Sequence, residues 1–221
     1  MMSLALLFWD ELRGFIKSKV MFALWIGMPL IAILMHFIQP DADGLPVTIL
    51  TGLLVASIGG LLAAVMLSTT IVNELNSKVY DLYLIRPVKR ANILLAKYFA
   101  VFLSLTIAAF LSFAIGLLID IFTIGLPPNV IIIDTLESLS ISLAAMSISC
   151  AAGIFIGILV KSVPLAAILS IYLGEQLSVV AVLPGIFLTE INPLIFSISI
   201  GVGLTLIIIL AEILVFRKKQ F

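Results

Sequence analysis

The chain has 221 residues, 63% hydrophobic and only 11% charged, with twelve basic and twelve acidic side chains that balance to a formal net charge of zero, and its mean hydropathy is +1.34. A soluble domain is about half apolar and a quarter charged, so a soluble globular fold is excluded. The balanced charge gives no sign of a polyanionic partner, and no nucleic-acid partner is expected. Apolar runs of about 20 residues recur, each long enough at about 1.5 Å per residue to cross hydrocarbon as a helix. The short alternating segments of a β-barrel are absent. The predicted class is an all-α, polytopic membrane protein. One cysteine, Cys150, excludes an intrachain disulfide or thiolate cluster, and one histidine, His36, excludes a multi-histidine metal site.

The first element, residues 3–19, carries Leu4, Leu7, Phe8, Leu12, Phe15 and Ile16 at helical spacing, with Asp10, Arg13, Lys17 and Lys19 largely elsewhere on the wheel. This pattern predicts a helix lying in the membrane interface, anchored by Trp9. Its early charges predict no cleavable signal. Span one is predicted over residues 20–38, with Pro29 inside it as a kink. Span two covers residues 47–72, and a charged arm, residues 73–97, follows. Span three covers residues 98–122. Span four, residues 136–160, bears a stripe of small residues that includes Ser142, Ser149, Gly153 and Gly157. Small side chains let helices approach closely, and serine hydroxyls bond across the contact. Span five covers residues 163–183, and span six covers residues 194–216.

The basic residues test this parse. Three precede span one, five lie in the arm, one lies between spans four and five, and three follow span six, which accounts for all twelve. The opposite loops carry Asp41, Asp43, Asp134 and Glu190 and no Lys or Arg. The positive-inside rule then puts both termini and the arm in the cytoplasm, with the chain multi-pass in a cell membrane.

Catalytic motifs are missing. The sequence contains no GxSxG elbow, no HExxH and no GxxxxGK[ST] loop, so the chain is expected to be non-catalytic, with no cofactor or metal of its own. Glu175, beside Gln176, is a carboxylate at membrane depth, which costs several kcal/mol unless paired or wetted. It either lines a water-filled cavity or marks where span five stops and a re-entrant segment begins. Glu212 lies about a turn inside the C-terminal basic cluster and is expected to pair with it or with a neighbouring helix.

The arm reads NELNSKVYDLYLIRPVKRANILLAK from Asn73 to Lys97. Its middle, Tyr80 to Arg86, is short and amphipathic, with Val79, Leu82, Tyr83 and Ile85 as an apolar face beside Asp81. A charged rim around an apolar anchor is what a protein contact needs. The plainer reading for Lys89, Arg90 and Lys97 is attraction to anionic lipid. Glu74, Pro87, Val88, Arg90, Leu94, Leu95 and Lys97 fall without a gap on the cytoplasmic signature of the type-2 ABC transporter permeases, which the segment resembles. Departures are Lys78 and Val79 where Gly-Thr is usual, Arg86 for Thr, Lys89 for Ser and Ala96 for Gly. The layout resembles that family as well: an interfacial helix, six transmembrane helices, a coupling helix between spans two and three, and a re-entrant element between spans five and six over Gly174 to Pro193.

The resemblance implies a permease subunit of an ABC exporter. It would pair with a second permease copy, its own or a similar one, and with two copies of a separate ATPase that holds the ATP and Mg. Partner coupling would fall to Glu74, Val79, Asp81, Leu82, Tyr83, Arg86, Pro87 and Arg90. The family's pathway along spans two and five nominates Ser57, Gly59, Gly60 and Ser68 on one side and residues up to Glu175 and Gln176 on the other. The alternative from another class is a secondary transporter or membrane enzyme that works through intramembrane carboxylates such as Glu175.

Overall fold

The computed structural model describes residues 4–17, 19–38, 47–79, 89–123, 125, 128–187 and 192–218. Among these residues there are seven helices and no strand: α1 (Leu4–Ile16), α2 (Lys19–Ile38), α3 (Val47–Asn76), α4 (Arg90–Thr123), α5 (Asn129–Leu159), α6 (Val163–Phe187) and α7 (Pro193–Lys218). Five of them are long and apolar enough to cross a membrane, over Ile58–Asn76, Ala91–Thr123, Asn129–Leu159, Val163–Ala181 and Leu194–Phe216. The chain is an all-helical, multi-pass membrane protein.

Several helices outrun the predicted spans. α3 continues past Val72 to Asn76, α4 starts at Arg90 rather than Tyr98, and α5 starts at Asn129 rather than Leu136. Charge does not break a helix whose backbone hydrogen bonds are already satisfied within it; it only obliges the helix to end outside hydrocarbon or to find partners. With 34 residues, α4 is about 51 Å long, well beyond the roughly 30 Å of a bilayer core. The last residues of the arm, 90–97, are therefore the first two turns of α4.

A second finding concerns Gly174 to Gln176, read from sequence as either lining a cavity or marking where span five stops. α6 runs unbroken through Glu175 and past Pro184 to Phe187. Gly174 is buried against α3, where an added Cβ would lie 2.8 Å from the Ala64 Cβ. The glycine serves close packing rather than a turn. Any outer element between α6 and α7 is confined to the few residues after Phe187, and residues 188–191 lie outside those described.

The bundle is built around α5, the most buried of the five long helices, which packs against α3, α6 and α7. Its small residues are the reason. Gly60 of α3 faces the Ser149 hydroxyl, and an added Cβ there would lie 3.2 Å from the oxygen. A Cβ on Gly153 would come within 2.5 Å of the Ala64 carbonyl oxygen, and one on Gly157 within 3.0 Å of the Ser68 carbonyl oxygen. The Ser149 hydroxyl lies 3.2 Å from the Gly174 carbonyl of α6, so one serine links three helices. Ser142 instead turns back on its own helix, donating to the Leu139 carbonyl at 2.7 Å.

On the other side, α2 leans on α4. The Trp25 Nε1–H donates to the Ser104 carbonyl at 3.2 Å, and the Ser112 hydroxyl donates to the Met28 carbonyl, just before Pro29, at 2.8 Å. α1 packs mainly on α4. It buries Leu7 and leaves Leu6, Trp9 and Ile16 exposed, so it is apolar on both its bundle side and its outer side.

Candidate functional site: the root of the arm

α3 ends and α4 begins at the same end of the bundle, and three charged side chains from three helices meet there. Lys97, in the second turn of α4, is 1% exposed and is among the largest fully buried side chains of the described residues. Its Nζ donates to Glu11 Oε1 of α1 at 2.7 Å and to Glu74 Oε1 of α3 at 2.7 Å. Both contacts have the short length of charge-assisted hydrogen bonds. The expectation that Lys97 is drawn to lipid headgroups is corrected: its stem crosses the apolar surface of α4 and its ammonium is taken up inside the protein.

The sequence explains why the three groups converge. Glu74 lies in the last turn of α3, while Glu11 is four residues from Leu7 on α1, so the carboxylate and the one buried side chain of that helix share a face. Ile93, Leu94 and Ala96 of α4 are buried around Lys97 and carry the ammonium below the surface. Two carboxylates on one ammonium leave a negative imbalance. It shows in the Glu11 carboxyl, which lies above its ordinary value of 4.5 because burial outweighs the opposing pull of Lys97, with Glu74 pushing the same way as burial. Glu74 Oε2 is buried without a hydrogen-bond partner.

The arm leaves α3 through a tight exit. The Ser77 N–H donates to the Asn73 carbonyl at 2.9 Å and the Lys78 N–H to the Leu75 carbonyl at 3.3 Å. Lys78 then adopts φ +54°, the left-handed conformation that glycine enters freely and other residues enter at a cost of roughly 1–2 kcal/mol. This is the position where the permease signature has glycine. Lys78→Gly should therefore raise stability by about 1 kcal/mol, read as a higher thermal midpoint of the purified protein; a lower midpoint would show that the lysine side chain holds the turn. Two residues before Lys78, the Asn76 side-chain amide donates to the Lys161 carbonyl at 3.0 Å, tying α3 to the turn between α5 and α6.

Of the proposed coupling residues, Glu74 is in the cluster and Val79, half-buried, ends the first described stretch of the arm. Asp81, Leu82, Tyr83, Arg86 and Pro87 lie outside the described residues, as does the Arg90 side chain. Among the pathway candidates, Gly59, Gly60 and Ser68 are buried at the contact of α3 with α5. The Ser57 side chain is outside the described residues. Glu175 and Gln176 are both exposed on α6. Glu175 shares a stripe with Leu165, Ile168, Tyr172 and Val179, which are all exposed. The sequence reading placed neither Lys97 nor Glu11 in a functional role. The available signal was a lysine set in the run ILLAKYF, where a cation this far into a helical apolar segment demands a partner.

A separate apolar groove of about 440 Å³ lies between α4, α5 and α7, lined by Tyr98, Phe102, Leu143, Val202 and Ile209 among others. Its hydroxyls are satisfied locally: Ser147 and Thr205 are 3.0 Å apart, and the Tyr98 hydroxyl donates to the Ser147 carbonyl at 3.4 Å. No metal-binding group of three or more His, Cys, Asp or Glu occurs among the described residues.

No family model matches the chain, and no curated protein matches it. Fold and composition define an all-helical multi-pass membrane protein whose buried ion cluster sits at the base of a charged arm.

Proposed function

We propose that this protein is the permease subunit of an ATP-driven ABC exporter. It would work as a dimer with itself or a similar permease, coupled through the arm to two copies of a separate ATPase. The observation that carries the reading is the contact between Glu74 and Lys97 at 2.7 Å. These are the first and last residues of the segment that resembles the permease signature, and they close on each other at its base. An arm pinned at both roots, and tied by Lys97 to Glu11 of α1 at 2.7 Å, transmits a push as one body instead of flexing where it joins the bundle.

In this reading α2 is the first of six spans, both termini face the cytoplasm, and α1 lies along the cytoplasmic interface. ATP binding draws the two ATPases together and tilts the arms. α3 and α4, locked at their roots, carry the tilt into the bundle. The open face of α6, with Glu175 in its stripe, lies against the second copy or the pathway, because a carboxylate facing lipid costs several kcal/mol. The chain itself contributes no chemistry to ATP hydrolysis; ATP and Mg bind the partner.

The test is co-purification from native membranes, followed by replacement of residues 80–88 with a Gly-Ser linker. An ATPase should travel with the wild-type protein and be lost from the linker variant, with transport abolished. Transport that persists in liposomes without an ATPase, and disappears in Glu175→Gln, would overturn this reading in favour of a secondary transporter.

A further inference from the structure

Glu212 of α7 is the most isolated carboxyl group among the described residues. It is 1% exposed, and neither oxygen has a hydrogen bond of good geometry, although the Phe155 backbone of α5 lies beside it. No hydrogen-bond partner for it is found among the described residues, and the side chains of the C-terminal basic cluster, its expected partner, lie outside them. The titratable groups that face it are Cys150 of α5 and Tyr98 of α4, both neutral weak acids under ordinary conditions. From α6, which also packs on α7, the one described charged side chain within the helix is Glu175, and it is exposed. Arg217 and Lys218 follow on α7 itself, with side chains outside the described residues. A carboxylate buried without donors or a cation loses its hydration with nothing in return, whereas the acid form loses far less.

Packing along the α5–α7 seam differs between its two ends. Away from the arm, an added Cβ on Gly201 would lie 2.8 Å from the Ala144 Cβ, and Thr205 meets Ser147 at 3.0 Å. Gly201, Thr205 and Glu212 recur on one helical stripe. Glu212 is two turns beyond Thr205, about 10 Å further along the axis, and about 9 Å from the arm-side end of α7. The seam is therefore closed by backbone-level contact at one end and by a carboxyl group at the other.

We propose that Glu212 is a proton-binding site built into this seam. The acid form packs between α5 and α7, and the two helices part at their arm-side ends when the proton leaves. In that step water enters, the carboxyl O–H bond breaks heterolytically, the proton passes to water, and the carboxylate stays on the protein, now hydrated. Gly201 and Thr205 act as the fixed end. The site thus makes closure of the seam depend on proton concentration, whatever the protein transports.

The purified full chain in lipid nanodiscs provides the test. Its infrared spectrum near neutral pH should contain a protonated-carboxyl C=O band that vanishes in Glu212→Gln and persists in Glu11→Gln. Cys150, the one cysteine in the sequence, reports the opening. Its maleimide labelling rate in wild type, divided by that in Glu212→Gln to remove thiol ionisation, should be near one at about pH 6 and rise several-fold by about pH 9. Identical carboxyl bands in wild type and Glu212→Gln, or a flat labelling ratio, would overturn the proposal. So would a Glu212→Gln protein that does not fold, since glutamine keeps the shape and neutrality of the acid.

Discussion

Replacing Lys97 with methionine should cost about 3–5 kcal/mol of stability, the usual penalty for removing one partner of a buried ion cluster. Methionine fills much of the same space, so packing is not what is lost. The loss comes from Glu11 and Glu74, two like charges left facing each other with no cation between them. The sign of the pH dependence follows. In the variant Glu11, already held above its ordinary value by burial, loses its cation and binds its proton more tightly still in the folded than in the unfolded protein. Its penalty is therefore small below the ordinary carboxylate range and grows as pH rises through its raised folded value. Wild type should show a shallower form of the same slope from Glu11 alone, already held above its ordinary value by burial, and Glu11→Gln should remove it. The triple variant Lys97→Met, Glu11→Gln, Glu74→Gln has no buried charge and should recover most of the lost stability. Thermal unfolding in detergent across pH checks all four proteins. If Lys97→Met alone is as stable as wild type, the cluster is wetted rather than buried. Under the permease reading, a triple variant that folds well but does not transport would mean that the cluster serves the arm's mechanics more than the fold.

How legible this arrangement was depended on the range of the interaction. Hydrophobic runs are local, and they announced the helical membrane class directly. The glycine and serine stripe of α5 was also local, because four residues at helical spacing share a face whatever they pack against. Lys97 was different. In the sequence it ends a run of basic residues and reads as one more charge in a loop. Its burial depends on α4 starting at Arg90 and on α1 lying across the α4 surface, a contact between residues 86 positions apart. Glu175 and Glu212 exchanged roles for the same reason. Both are carboxylates within apolar helices, and spacing alone does not tell which face each occupies relative to helices elsewhere in the chain. The carboxylate that drew attention is exposed, and the one assigned a bland pairing is buried with no hydrogen-bond partner among the described residues. Spacing left open whether span five stops at Gly174, because a Gly-Glu-Gln step also reads as a break, while Ala64, against which the glycine packs, is over a hundred residues away.

Gly153→Ala should be the most damaging single-methyl change in the bundle, costing about 1–3 kcal/mol as overpacking. The new Cβ would meet the Ala64 carbonyl oxygen at 2.5 Å and the Ala64 Cα at 2.8 Å, and backbone atoms of a helix have no rotamer to escape into. α3 and α5 would have to separate by a few tenths of an ångström along their whole contact. Two other glycines set the scale. At Gly59 the clash is with the Met146 methyl group, the end of a flexible side chain, so Gly59→Ala should be much milder. At Gly203 an added Cβ meets nothing within 4 Å, so Gly203→Ala should gain up to about 1 kcal/mol from helix propensity alone. The order Gly203→Ala above Gly59→Ala above Gly153→Ala in thermal midpoint is the expected result, and a Gly153→Ala protein as stable as Gly203→Ala would mean the α3–α5 contact is looser than described. The same variant probes coupling. α3 carries Glu74 at one end and Ala64 in its middle, so loosening its seat on α5 separates the arm's root from the helix at the centre of the bundle. Under the permease reading, Gly153→Ala should retain bound ATPase while transport per ATP hydrolysed falls, because the arm would still move but α5 would no longer follow it.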